Sequence, residues 1–237
     1  MRMTTRLSYA VLVAVSLAAV PARAADNQLT DQQKQEGWIL LFDGHDTSKW
    51  FVDDPKKGPR HPVPADAAQD GSFNPRKGGG YVSYYDQKFG DFILSCDFKV
   101  SKDCNSGIFI RTGKPKDPVQ SGFEIQIFDS YGHKPDKHTC GAFYDSVAPT
   151  KEMSKPAGEW NHIEITADKN IIKVVLNGEQ IIDVNLDEFT QPGKNADGTK
   201  NKYKLALKDF PREGYIGFQD HGHECWYKNV MIKPLSH

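Results

Sequence analysis

In the stretch 122–129, GFEIQIFD, apolar and polar side chains alternate, so Phe123, Ile125 and Ile127 share one face of an extended strand and Glu124, Gln126 and Phe128 share the other. A solvent-facing strand surface ordinarily carries Lys, Thr and Ser. This one offers a carboxylate, an amide and an aromatic ring, and the upstream GIFIRT puts Phe109 and Arg111 on its own non-aliphatic face. A carboxylate in mid-strand reads either as a positioned general base or as a group that only hydrogen-bonds a ligand. Arg111 reads as a hydrogen-bonding group for a ligand, or as the ion-pair partner of Glu124 on the adjacent strand.

Further candidates lie in loops and strand ends. His138, in DKHTCGAFYD, has three readings: proton donor, metal ligand or loop histidine. His221, in FQDHGHE, shares strand parity with Gln219, so both reach the same face. Tyr144 alternates out of GAFYD and offers ring stacking or a phenolic donor. Asp129, His133, Asp136 and His138, and the group Asp220, His221, His223 and Glu224, supply oxygen and nitrogen ligands for a divalent metal ion, without the fixed spacing of H-E-x-x-H. The metal question therefore stays open from sequence.

The elements that must position these groups are short strands divided by turn residues, among them DFILSCDFKV, WNHIEITA, IIKVVL and CWYKNVMI. This spacing predicts an all-β sandwich, not alternating helices and parallel strands. The dipeptide Asn177-Gly178 is a two-residue hairpin signal, and with ADKN before it predicts three sequential antiparallel strands. Segments 53–80 and 190–202 are rich in Pro, Gly and Lys and read as long loops, the kind that are functional or disordered. The four tryptophans are assigned to the core.

Composition narrows the classes. Arg2 and Arg6, the apolar run from Ala10 to Val20 and the Ala22-Arg23-Ala24 site form a secretory signal peptide over residues 1–24, which predicts export to the periplasm or medium. No later stretch approaches the roughly 20 apolar residues of a membrane span. Without residues 1–24, which hold three arginines and no acid, the formal charge is −4, and a nucleic-acid partner is not expected. Residues 25–237 fit a single domain. Cys96, Cys104, Cys140 and Cys225 can pair in three ways, and an oxidising compartment favours disulfides over free thiols, although Cys96 also reads as a core residue.

The motifs GWILLFDGHDTSKW, DFILSCDFKV, NSGIFIRT, GFEIQIFD, GEWNHIEI, VLNGEQIID and GYIGFQDHG…CWYKNVMI occur in one order, from Trp38 to Ile232. Together they resemble the 3-keto-disaccharide hydrolase domain family. The resemblance implies a concanavalin- or laminin-G-like jelly roll of two curved antiparallel sheets whose concave face holds carbohydrate. Phe109, Arg111, Gln126, Phe128, Tyr144 and Gln219 would then bind sugar, and Ile108, Ile110, Ile125 and Ile127 would pack between the sheets. Glu124, His138 and His221 would carry the chemistry. A 3-keto group makes the C2 hydrogen acidic, so a base can remove it, the group at C1 can leave, and water can add afterwards. A non-catalytic carbohydrate-binding jelly roll is the alternative, since fold does not fix function. A Cys104–Cys140 bridge would brace one rim of the groove and contribute about 2–4 kcal/mol. The sugar and the oligomeric state are not encoded in any motif.

Overall fold

Along Asn161–Asp168, Ile171–Leu176 and Glu179–Asn185, apolar residues alternate with polar ones, and these strands form one antiparallel meander. Ile163, Ile165, Ala167, Ile172, Val174 and Leu176 all point to the buried side. The turn at Asn177-Gly178 has positive φ at both residues, 49° and 87°, the backbone of a type I′ hairpin that asparagine and glycine adopt most readily.

The computed structural model describes residues 25–236; the predicted signal peptide lies outside the described residues. In chain order the strands are β1 (Ile39–Leu40), β2 (Trp50–Val52), β3 (His61–Pro62), β4 (Ala68–Gln69), β5 (Ser72–Phe73), β6 (Val82–Phe89), β7 (Phe92–Val100), β8 (Asn105–Thr112), β9 (Phe123–Phe128), β10 (Asn161–Asp168), β11 (Ile171–Leu176), β12 (Glu179–Asn185), β13 (Gly214–Gln219) and β14 (Cys225–Pro234). An eight-stranded sheet runs β12-β11-β10-β7-β14-β5-β4, with β1 on β14, and a six-stranded sheet runs β3-β2-β6-β13-β8-β9. All pairings between these strands are antiparallel. The only α-helix among the described residues is the short Asp31–Gln35, held by a capping box between Thr30 and Gln33. The architecture is an all-β jelly-roll sandwich.

The two sheets close over one core. Ile108, Ile110, Ile125 and Ile127 enter it from β8 and β9, as the alternation requires. At its centre Phe218 of β13 stacks on Tyr227 of β14 with ring centroids 3.9 Å apart, and Trp50 donates from Nε1 to the Leu41 carbonyl at 3.2 Å. Each such apolar side chain withdrawn from water contributes about 1.5–3 kcal/mol before chain entropy is counted.

Three sequence expectations change. Only Trp50 is a core tryptophan. Trp38, Trp160 and Trp226 are half-buried, and Lys99 lies over the Trp160 and Trp226 rings at 5.0 and 4.7 Å. These rings face outward because β14 and the turn before β10 place them on the side of the large sheet away from the core, where a lysine stem and ammonium cover them. Segment 53–80 is not one long loop: β3 extends the small sheet at its edge, and the β4–β5 hairpin joins the large one.

The disulfide expectation is overturned. Cys96, Cys104, Cys140 and Cys225 are all buried and all free thiols, so no Cys104–Cys140 bridge exists. The Cys104 side chain turns into the core and meets Cys225 in a thiol hydrogen bond, whereas Cys140 sits in the segment beyond β9, its N–H bonded to Ser130 Oγ. Burial raises the Cys140 thiol to about 12, so it stays protonated and unreactive at neutral pH.

Candidate active site

β9 is the last strand of the small sheet, and its open edge is covered by an irregular segment, 139–147. Gly141 donates to the Gln126 carbonyl, Gln126 donates to Ala142, and Tyr144 donates to Glu124 at 3.0 Å. The cover pairs the edge of β9, whose polar face is not solvated: Glu124 is 5% exposed and Gln126 2%. It also brings Tyr144 alongside Glu124. On β8, Gly107 leaves the space that the carboxylate needs, since a Cβ there would stand 2.6 Å from Glu124 Oε1.

Glu124 lies in a small polar recess lined also by Tyr81, Asn105, Tyr144, Lys202, Gln219 and His221. Gln219 Nε2 bridges two of these groups, donating to Glu124 Oε1 at 2.9 Å and to the Tyr81 hydroxyl at 2.8 Å. Lys202 Nζ stands 3.9 Å from Glu124 Oε2 and 3.9 Å from the centre of the Tyr144 ring. Burial pushes the Glu124 carboxyl up to about 7, and Lys202 and the Gln219 amide oppose that rise without cancelling it. Burial likewise lowers Lys202, with Glu124 and Asp145 pulling the other way, and raises Tyr81, with the Glu124 charge adding to the effect.

The amide oxygens of Gln126 and Gln219 are buried with no hydrogen-bond partner. Buried acceptors of this kind are costly when unpaired, and the one on Gln219, which lines the recess with Glu124, suits a hydroxyl donor on a ligand. A carboxylate poised near neutrality, with a cation and two phenols around it, can accept a proton from carbon and stabilise charge on a neighbouring oxygen.

The other sequence candidates are distributed as follows. Gln219, Tyr144 and His221 line the recess with Glu124, and the His221 ring centroid is 6.4 Å from that of Tyr81. Gln126 is one step further along β9, its Nε2 donating to Asn105 Oδ1 at 3.2 Å. His138 lies behind Tyr144, outside the recess, with ring centroids 5.1 Å apart and its Nε2 3.4 Å from Asp145 Oδ1. Phe109 is fully buried beneath the site, in a small cluster with Phe51, Val82 and Tyr84. Phe128 packs against the inter-sheet core and borders a separate depression with Asp129 and His133.

Arg111 is elsewhere. Its φ of 49° breaks the strand alternation, and the pairing of β8 with β13 slips by one residue there, Phe109 opposing Gly217 but Thr112 opposing Tyr215. The bulge sends the side chain to the far end of the sandwich, where it donates to the Gly90 and Lys169 carbonyls and to Asp91 Oδ1 at 2.7–2.8 Å. It forms its ion pair with Asp91, not with Glu124. Complete burial brings the guanidinium down to about 10 even with Asp91 beside it. Among the described residues no three His, Cys, Asp or Glu side chains converge as a metal-binding group.

Tyr81, Lys202 and Asn105 were not singled out in the sequence. Tyr81 opens the strand motif YVSYY, and Lys202 ends the polar segment 190–202, whose composition had marked it as a functional or disordered loop. That loop is ordered here by Asn195, which donates to the Asp145 and Lys200 carbonyls, and by the Lys202 amide, which donates to Asp145 Oδ2 at 2.8 Å.

Known proteins share this chain's sequence and fold. A 3-keto-disaccharide hydrolase of Bacteroides thetaiotaomicron is 29% identical over 258 residues, covering 94% of this chain and 87% of that relative. A crystal structure from Parabacteroides distasonis, of a protein assigned as a glycosyl hydrolase, is 30% identical with a TM-score of 0.62, covering 65% of this chain and 83% of that one. A second from the same organism shares the fold at a TM-score of 0.70, with 24% identity over 90% of this chain and all of that one. The family model for the 3-keto-alpha-glucoside-1,2-lyase-like domain matches residues 37–233. The chain therefore belongs to that family, as a 3-keto-disaccharide hydrolase-like enzyme acting on carbohydrates.

Proposed function

We propose that the enzyme cleaves 3-keto-glycosides by elimination, with Glu124 as the base at C2. The observation that carries this reading is the buried Glu124 carboxyl, raised to about 7 in a recess whose other groups are hydrogen-bonding side chains and one cation. Glu124 takes the C2 proton, and the C–H electrons pass into a C2–C3 double bond as the ketone oxygen becomes an enolate. Lys202 Nζ is the cation available to that oxygen. The enolate returns its electrons, C1–C2 becomes double, and the C1–oxygen bond breaks. The departing oxygen takes its proton from His221, which lines the same recess. Addition of water at C1 completes net hydrolysis, and no oxocarbenium ion is needed.

Tyr81 presents its ring to the C–H face of a sugar, and the unpaired Gln219 oxygen accepts from a sugar hydroxyl. With the signal sequence at residues 1–24, the site of action is outside the cytoplasm. The test is exchange of the C2 hydrogen: in D2O the wild-type enzyme should place deuterium at C2 of recovered 3-keto-glucoside, and Glu124→Gln should lose both exchange and turnover by about 10²–10⁴-fold. Turnover without any involvement of C2, or a fully active Glu124→Gln enzyme, would refute the assignment.

A further inference from the structure

Tyr81 stands between two cavities. On one side it closes the Glu124 recess, which has about 30 Å³ of free space, room for one water-sized group. A recess of that size takes one edge of a sugar ring and leaves the group being expelled outside it. On the other side of Tyr81 lies a cleft of about 480 Å³, walled by residues 53–57, the turn at 115–118 and Asp220, the neighbour of His221.

The cleft is built of charges that nearly balance, three carboxylates against four lysine or arginine side chains. One of them is unsatisfied: Asp53 Oδ1 is buried with no hydrogen bond, and Lys116 Nζ stands 3.7 Å away, beyond hydrogen-bond reach. The Lys116 side chain is 62% exposed, so it can move to admit a group between itself and Asp53. Asp54 ties this wall to the first cavity, because its Oδ2 accepts from the Tyr81 amide at 3.0 Å. Gly80 lets the chain lie flush on the floor, since a Cβ there would stand 2.3 Å from Val52 Cγ1.

We infer that this cleft is the subsite of the leaving group, and that it holds a neutral sugar ring whose hydroxyl bridges Asp53 and Lys116. Balanced charge suits a polyol, which gives and accepts hydrogen bonds, over a phosphate or a carboxylate-bearing sugar. The inference rests on the elimination reading above, since it identifies the alcohol released from C1.

The experiment compares 3-keto-trehalose with methyl 3-keto-α-glucoside, whose leaving group does not reach the cleft. Lys116→Met and Asp53→Asn should each lower kcat/KM for the disaccharide about tenfold while leaving the methyl glycoside within about twofold. A second arm needs no turnover: saturation-transfer NMR of free glucose should give a signal with the wild-type protein that both variants lose. Because Lys116 is exposed, Lys116→Met keeps the fold. Equal losses on both substrates, no loss on either, or glucose saturation that persists in both variants would overturn the assignment. Failure of the wild-type protein to turn over either substrate would instead sink the elimination reading, and the glucose arm would then decide the cleft alone.

Discussion

Replacing Glu124 by glutamine should make the protein more stable above neutral pH while removing its activity. The carboxyl titrates at about 7 instead of the 4.5 of a free glutamate, chiefly because it is buried. At about 1.36 kcal/mol per pH unit, that difference amounts to about 3 kcal/mol. Below pH 4.5 the folded and unfolded chains both hold the proton and the cost is absent. Between 4.5 and 7 the unfolded chain releases its proton while the folded chain keeps it, so stability falls as pH rises. Above 7 the full cost of a buried carboxylate is present.

The substituted side chain cannot ionise, and its amide oxygen can still accept from Gln219. The loss of an anion 3.9 Å from Lys202 subtracts from the gain, but Lys202 is 35% exposed and can turn to water. A net gain of about 2 kcal/mol corresponds to about 4–8 °C in Tm for a chain of this size. Thermal unfolding of both proteins by calorimetry at pH 4 and pH 8 measures it: near-equal Tm at pH 4, and the variant higher at pH 8. A Tm difference that is the same at both pH values, or a variant less stable at pH 8, would refute the argument that the site holds Glu124 at an energetic cost.

Other consequences follow from the same geometry. The acid limb of wild-type kcat/KM should be centred near pH 7, because only the ionised Glu124 accepts a proton; a kcat/KM that does not rise between about pH 5 and 7 would remove Glu124 as the base. Lys202→Met removes the ammonium that holds Glu124 down, so the acid limb should move to higher pH and kcat should drop, which steady-state pH profiles will detect. Arg111→Lys loses the planar fork that satisfies Gly90, Lys169 and Asp91, and should destabilise the fold by about 3 kcal/mol in urea unfolding while the folded enzyme keeps kcat within about twofold.

The period-two alternation of GFEIQIFD and WNHIEITA and the Asn-Gly turn determined, by themselves, an all-β sandwich and which faces of β8 and β9 meet the core. A strand's two faces follow from backbone geometry alone, so Ile108, Ile110, Ile125 and Ile127 were legible, and so was the polar row that contains Glu124. The ordered series of motifs carried the family, and Tyr144, Gln219 and His221 do share a recess with Glu124.

Tertiary structure decided what alternation cannot express. A single-residue bulge at Arg111 reversed its side-chain direction, and that depends on how β8 pairs with β13, not on GIFIRT itself. Tyr81 and Lys202 reach Glu124 from distant chain segments on either side of it, brought there by the strand order and by the loop that Asn195 folds. The free thiols depend likewise on direction, since Cys104 points into the core and Cys140 belongs to the cover over β9. The rise of Glu124 to about 7 follows from burial among Tyr81, Asn105, Tyr144, Lys202, Gln219 and His221, side chains that only the tertiary structure brings around it.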